Sequence, residues 1–497
     1  MMVNQQPRID VHNPVTGERI DSITVCTADE VKAAVARGRA AQPAWEALGA
    51  HERARLIRRW QDALWNDRLN VMRVIRRETG KTHSGAYTEV AVIDVAAQYY
   101  SHHGPKLLQP QKRRALFPLI QKARLYYKPY GVIGFITPWN YPLALGLNDV
   151  IPALVAGNSV ILKPSEVTPF TSRHAVDLMH KVGIPADVAQ IVTGDGSTGS
   201  ALVDAVDYIS FTGSTAVGRA VAVRAAERLI PYSLELGGKD PAIVLADANL
   251  DQAAAGVLRG ALENAGQVCA SVERVYVVED IYEAFMKRLG EYAARLRIGS
   301  GDGFEVHIGS LTNERELVRA ETHVADAVAK GATLVFGGRR RPDLGPLFYE
   351  PAILTNVDHS MLLMQEETFG PLVAIMRVRD IDEAIHWAND SEYGLSATIF
   401  TRNLKRGEEL AIRIHSGDVS INRPQIIFGT ASLPMGGEKS SGVGRRNGPE
   451  GLLRFVKTQS VVVDSLLGSP PSLNYTDPFT LNAYMLVRRL RRWFPFI

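Results

Sequence analysis

The sequence predicts an α/β protein: a doubly wound parallel sheet, with a second α/β domain facing it across a cleft. Three observations carry this. From residue 130 short β-branched runs recur, each run ends at a Gly- or Pro-marked break, and helical stretches follow these breaks. That rhythm is the pattern of right-handed crossover units, whose ligands sit beyond the carboxyl ends of the strands.

Taken in order, Thr27-Ala28-Asp29-Glu30 reads as a capping box that opens a helix rich in Ala and Val. Gly131 to Ile136 reads as a buried strand stopped by Thr137-Pro138. Ser159 to Lys163 reads as the next, followed by a helix capped by Thr168 with Pro169 at its first position. Val188–Val192 and Tyr208–Phe211 are two more strands, each leading into a Gly-marked turn and a helix. A second alternation starts at Ala242–Leu245 and continues through Arg274–Val278. Pro105 to Lys128 interrupts the first domain and reads as a projecting hairpin arm that needs a partner surface.

A chain of 497 residues exceeds one ordinary domain, so two or three structural units are expected. With 46% hydrophobic and 22% charged residues it has the make-up of a globular protein. The formal charge of +3 gives no reason to expect nucleic acid. Arg339-Arg340-Arg341 sits beside Gly and Pro and reads as a solvated loop. Met1 to Pro7 shows no apolar stretch of a signal peptide, and no run of ~18 apolar residues is present to span a membrane. The two cysteines, Cys26 and Cys269, form neither a disulfide framework nor a metal-binding spacing, so no metal is expected and a reducing cytoplasm is. Cys26 fits an inert buried side chain.

Gly194-Asp195-Gly196-Ser197-Thr198-Gly199 follows a strand as a G-x-G-x-x-G element, but no acidic residue ends a strand about twenty positions later. A tight structural turn is the better reading. Phe211-Thr212-Gly213-Ser214-Thr215 is a second strand-to-helix turn, whose helix start offers N–H groups to a pyrophosphate or is simply capped by Ser214. In Glu263-Asn264-Ala265-Gly266-Gln267-Val268-Cys269-Ala270-Ser271, a cysteine after a Gly-Gln turn is a candidate nucleophile. A thiolate suits attack on an aldehyde, because the adduct can expel hydride. In Leu234-Glu235-Leu236-Gly237-Gly238-Lys239, a carboxylate among apolar residues and glycines is a candidate general base.

With Pro138-Trp139-Asn140-Tyr141-Pro142, Lys163-Pro164-Ser165-Glu166, Phe211 to Ser214, Glu235 to Lys239, Gly266 to Cys269, Glu366 to Pro371 and Asn422 in this order and spacing, the chain resembles the aldehyde dehydrogenase superfamily over nearly its whole length. The resemblance implies that Cys269 attacks the aldehyde, that Asn140 and the Cys269 N–H hold the oxyanion, and that Glu235 activates the water that hydrolyses the thioester. Members that hand the acyl group to coenzyme A usually lack that carboxylate, so hydrolysis to the acid is expected. Cofactor contacts are implied for Trp139, Lys163, Glu166, Gly213, Ser214, Glu367 and Phe369. Glu166 repels a 2′-phosphate, so NAD is expected, with NADP as the alternative.

By the same resemblance, 1–104 and 129–236 form an NAD-binding domain and 237–447 a catalytic domain. The arm 105–128 and the segment 448–467 form a small β oligomerisation element, giving a homodimer or homotetramer. Met435, Arg446 and Glu273 depart from many relatives, and are expected to touch the substrate entrance and packing rather than the chemistry. Cys269 to Arg274 and Met435 look like a succinate-semialdehyde-oxidising branch, where Arg423 either pairs a distal carboxylate or is a solvated loop residue. A catalytically silent relative kept as a binding protein would be expected to have lost Cys269, Glu235 or Asn140.

The tail, 468–497, lies outside the resemblance. Drawn as a helix, Asn482 to Phe494 gathers Ala483, Leu486, Val487, Leu490, Trp493 and Phe494 on one face and Arg488, Arg489, Arg491 and Arg492 on the other. Such a helix either packs its apolar face on protein or lies on an anionic membrane surface.

Overall fold

The computed structural model describes residues 6–116, 121–464 and 478–493. Its first sheet has six strands in the order Gly442–Val443, Tyr232–Glu235, Tyr208–Thr212, Val132–Ile136, Ser159–Lys163 and Ala189–Ile191. Neighbours are parallel, except that Gly442–Val443 runs antiparallel to Tyr232–Glu235. Parallel strands covered on both faces need apolar side chains on both, and these strands are almost wholly buried. Ile133 and Phe135 pack on one face with Trp60 and Leu154, while Val132 and Ile161 pack on the other with Val31, Val35 and Leu202.

From Val132–Ile136 the chain winds outward to Ser159–Lys163 on one side and to Tyr208–Thr212 on the other. The switch point therefore lies between Ile136 and Thr212. The crevice there is edged by the segments that follow, Thr137 to Asn140 and Gly213-Ser214.

The second sheet has seven strands, in the order Thr333–Phe336, Ala352–Thr355, Leu372–Val378, Val272–Val278, Asp240–Val244, Ser396–Phe400 and Asp418–Ile421. Only Thr333–Phe336 is antiparallel to its neighbour. Glu235 ends a strand of the first sheet and Asp240 opens one of the second. The short link Leu236 to Lys239 thus turns the carboxyl ends of one sheet toward the amino ends of the other.

Three local readings are corrected by packing. The helix capped at Thr27 has both halves of its capping box, but the helix Pro169–Lys181 is not capped by Thr168. Thr168 Oγ1 donates instead to the Trp139 carbonyl at 3.1 Å. The N–H groups of Phe170 and Thr171 donate to the buried Glu78 carboxylate, each at 2.9 Å. A distant helix supplies the cap.

The arm begins later than Pro105, because the helix His83–Leu107 continues through it. Proline in a last turn loses a single bond, and burial of Tyr100, Gly104 and Pro105 outweighs it. The strands Gln111–Arg113 and Gln121–Pro129 form the arm, and Val456–Asp464 pairs antiparallel along the whole of Gln121–Pro129.

A helix runs over Pro478–Trp493. Its inner side is half-buried Ala483, Val487 and Leu490 together with Arg491, whose Nη2 donates to the Leu116 carbonyl at 3.1 Å. Arg491 was expected on the solvated face. Leu486 and Trp493 are exposed, as are Leu481, Tyr484 and Met485. Phe494 and the Pro470-Pro471 pair lie outside the described residues.

Candidate active site

A cavity of about 900 Å³ runs along the carboxyl ends of the first sheet to the amino ends of the second. All ten residues singled out from the sequence line it: Cys269, Glu235, Asn140, Trp139, Lys163, Glu166, Gly213, Ser214, Glu367 and Phe369. A smaller cavity, about 140 Å³, lies beyond Cys269 and is bordered by Tyr141, Val268, Phe428, Met435, Arg259 and Arg423. Cys269 lines both.

The turn that presents Cys269 is built under constraint. Asn264, Ala265 and Gly266 are successively left-handed, with φ of 52°, 55° and 75°. A non-glycine residue there costs on the order of 1 kcal/mol, held only by surrounding contacts. Those contacts come from Gln267, whose Oε1 accepts from the Thr312 N–H at 2.9 Å and whose Nε2 donates to the Asn264 carbonyl at 2.9 Å. A side chain at Gly266 would meet the Gly370 carbonyl oxygen at 2.0 Å. Only glycine lets the two loops approach.

Asn140 is fixed from both ends. Its Nδ2 donates to the Gln267 carbonyl at 2.9 Å, and its own carbonyl accepts from buried Lys81 Nζ at 2.6 Å. Lys81 also pairs with buried Glu89 at 2.6 Å, and Glu89 accepts from the N–H groups of Leu143 and Ala144. This Lys81–Glu89 pair was missed from the sequence. The available signal was a glutamate inside the apolar stripe of a helix.

Burial raises three titratable groups of the cavity. Burial pushes the Cys269 thiol up to about 12, with Arg446 opposing and Glu367, Asp240 and Glu235 reinforcing. Burial pushes Glu235 up to about 7 against the pull of Arg446 and Arg454. Burial, then Glu273, pushes Glu367 up to about 8. A base with pKa near neutrality can both take and return a proton.

Glu273 and Arg446 are placed otherwise than expected. Glu273 does not border the substrate entrance; it is buried against Lys239 and accepts from the Thr368 N–H at 2.8 Å and the Phe369 N–H at 2.9 Å. It thereby holds the loop carrying Glu367 and Phe369, and the Phe369 ring stands edge-on to Trp139 at 5.4 Å. Arg446 lies beside Glu235, its Nε 3.8 Å from Glu235 Oε1. Met435 does border the small cavity. Local sequence could not separate these cases, because the partners lie far away along the chain.

At the far end of the large cavity, Lys163 Nζ lies 3.3 Å from Glu166 Oε2. Ser214 stands at the start of the helix Thr215–Glu227 and makes no capping bond with its side chain. Gly194 makes a tight turn at φ 147°, and Asp195 caps the helix Gly196–Val203. A cation with a carboxylate, an open helix start and a long cavity fit the ribose, pyrophosphate and ring of a nicotinamide dinucleotide. Among the described residues, no group of three or more His, Cys, Asp or Glu is placed to hold a metal ion. Cys26 is half-buried against the first sheet.

The sequence profile described as "Aldehyde dehydrogenase family" matches residues 2–461. The chain is 43% identical over 479 residues to "Putative succinate-semialdehyde dehydrogenase, NADP(+), 2" of Mycobacterium ulcerans, covering 95% of this chain and 92% of that one. It is 35% identical over 470 residues to the NADP(+) succinate-semialdehyde dehydrogenase GabD of Escherichia coli, covering 93% and 95%. Betaine aldehyde dehydrogenase of Staphylococcus aureus, solved in complex with NAD+, superposes with a TM-score of 0.90 at 32% identity, covering 96% of this chain and 94% of that one.

The thiol environment predicts a reactivity profile. In the cofactor-free protein, alkylation of Cys269 by iodoacetamide should rise ~10-fold per pH unit from pH 7 to 10 without levelling. Mass spectrometry of the Cys269 peptide reads this. A plateau below pH 9 would mean that the thiol is acidified.

Proposed function

The chain belongs to the aldehyde dehydrogenase family and oxidises an aldehyde with NAD(P), and on that premise we propose that Cys269, Glu235 and Asn140 carry the chemistry on a short aldehyde bearing a distal carboxylate. The observation that carries this reading is the position of Cys269 between two cavities, a long one suited to a dinucleotide and a small one suited to a short chain. With its thiol pushed up by burial, Cys269 needs a base, and Glu235, a carboxylate in the same cavity raised toward neutrality, serves as one. The sulfur attacks the carbonyl carbon while the proton leaves to Glu235. The second N–H of the Asn140 amide, the first being held by Gln267, and the Cys269 N–H receive the oxyanion. Each such donor supplies about 3–4 kcal/mol. The nicotinamide, when bound, accepts the hydride that leaves the carbon, so that a thioester remains on Cys269. Glu235 passes that proton to solvent and then takes one from water, whose oxygen attacks the thioester carbon; the C–S bond breaks, the acid is released and the proton returns to the sulfur.

Lys163, Glu166, Gly213, Ser214, Glu367, Trp139 and Phe369 are proposed to hold the cofactor on the six-stranded unit. The seven-stranded unit supplies the thiol. Two exposed arginines, Arg259 and Arg423, border the small cavity and suit a distal carboxylate, in keeping with the relatives named for succinate semialdehyde. The exposed Val462 and Val463 on the edge strand Val456–Asp464 support a homo-oligomer. Exposed Leu481, Met485, Leu486 and Trp493 beside Arg488, Arg489 and Arg492 support contact of the tail helix with an anionic membrane surface. No helix among the described residues is long and apolar enough to cross a membrane.

Steady-state assays with NAD and NADP on a panel of aldehydes test the whole reading. Succinate semialdehyde should give a higher kcat/KM than an apolar aldehyde of equal length, and the reverse order would remove the carboxylate from the proposal. Glu235→Gln should lower turnover by about 10²–10⁴-fold and leave an acyl adduct on Cys269 visible by mass spectrometry. Normal turnover would reassign the base.

Glu166→Ser removes a charge facing the ribose. The NADP to NAD ratio of kcat/KM should rise, and an unchanged ratio would move the preference to other residues.

The tail is tested by sedimentation with phosphatidylserine vesicles at low salt, using the full chain and a chain ending at Pro471. Loss of binding on truncation is expected. Equal sedimentation of both, or none, would leave the helix as a packing element.

A further inference from the structure

Glu235 does not stand alone in its pocket. Arg446 and Asp149 are both buried, and Arg446 Nη2 reaches Asp149 Oδ2 at 3.2 Å and the Thr212 hydroxyl at 2.9 Å. Arg454, only slightly exposed, reaches Asp149 Oδ1 at 2.5 Å from the other side and lies over the Phe455 ring. Arg446 Nε and Glu235 Oε1 are 3.8 Å apart, and each is buried without a hydrogen-bond partner.

We propose that Arg446, anchored by Asp149, is the positioning residue that holds Glu235 as an ionised carboxylate aimed at the thioester. The proposal rests on Glu235 being the base for hydrolysis. Two cations and one anion surround Glu235, so this buried quartet is neutral only when Glu235 carries its charge. An uncompensated buried ion costs several kcal/mol, which favours the charged base. The two orphaned atoms describe the same pairing: a short swing of the Glu235 carboxylate closes the gap and satisfies both. Gly436 leaves room for that swing, since a side chain there would sit 3.2 Å from Glu235 Oε1.

Arg446 has a second tie. Its backbone exchanges hydrogen bonds with Met435 at 2.8 and 2.7 Å, and Met435 borders the small cavity. Through Thr212, which sits opposite Glu235 in the parallel register, it also touches the strand leading into the Gly213-Ser214 turn. One guanidinium thus sets the base relative to both cavities.

The charges facing Glu235 from every side agree in sign with this role. Arg446, Arg454 and, from the surface, Arg445 favour its ionised form, whereas Asp149 opposes it. Asp418, itself pushed up to about 7 by burial and by Glu235, and the protonated Cys269 thiol complete the surroundings. Burial alone would raise Asp149, but Arg446 and Arg454 hold its carboxyl below the usual range, so it stays an anchor.

The test is the pH dependence of thioester hydrolysis, read as the decay of acyl-enzyme in single-turnover experiments with bound cofactor. Arg446→Met should move the acidic limb of that rate upward by about 1–3 pH units, while the pre-steady-state burst that reports acylation persists. Arg446→Lys keeps the cation and should restore the limb. Asp149→Asn leaves the cations uncompensated and should move the limb to lower pH; it settles the matter even if Arg446→Met does not fold. An unchanged limb in Asp149→Asn, or in a folded Arg446→Met, overturns the proposal. A Glu235→Gln enzyme that hydrolyses its thioester normally would instead remove the base itself, a distinct failure.

Discussion

Two glycine contacts fix the turn that carries Cys269, and the geometry of the candidate site depends on them. A side chain on Gly238 would lie 2.3 Å from the Cys269 carbonyl oxygen, and one on Gly266 would lie 2.0 Å from that of Gly370. Backbone therefore packs on backbone where the link from the first sheet passes the turn carrying the thiol. Any Cβ would push the loops apart, and a displacement of an ångström at a reacting centre is worth orders of magnitude in rate. The glycines are thus less about flexibility than about approach. They let the turn carrying Cys269 lie against both the link from the first sheet and the loop before Leu372–Val378.

Around that approach the protein places its buried charges. Lys81 with Glu89 fixes the Asn140 loop, Lys239 with Glu273 fixes the Glu367–Phe369 loop, and Asp149 with Arg446 and Arg454 surrounds Glu235. Burying an ion costs several kcal/mol, and pairing seldom returns a surplus. Apolar packing would stabilise as well or better. Such a pair does fix direction: Glu273 accepts two successive backbone N–H groups and so dictates how its loop turns. Each pair stands behind one loop of the candidate site, with its side chains supporting the loop from within.

How much of this was legible in sequence follows from range. The parallel strands announced themselves as apolar runs, and the capping box at Thr27 was read correctly because both of its partners lie within four residues. The residues expected at the site from the family resemblance all reach one cavity. What escaped depends on partners remote along the chain. Glu78 displaces Thr168 as a cap from 92 and 93 positions away. Arg446 finds Asp149 across 297 positions. The sequence places Arg446 at the substrate entrance or in packing, and its buried partners appear only when the fold closes. Pro105 reads from sequence as the start of the arm, because the packing of Tyr100 and Gly104 that carries the helix through it is not local.

The two cavities also divide the labour of the thiol. Glu235 borders the long cavity and is not among the residues bordering the small one, where the carboxylate is Glu263. Burial raises Glu263 as well, but Arg259 and Lys81 face it, so its charge is engaged with cations. On the proposed mechanism, an aldehyde entering through the small cavity meets the sulfur from one side, while Glu235 works from the other. Attack and hydrolysis need not compete for the same space. With Cys269 between the two cavities, the proposed base reaches the sulfur from the long cavity in both steps and leaves the small one to the aldehyde.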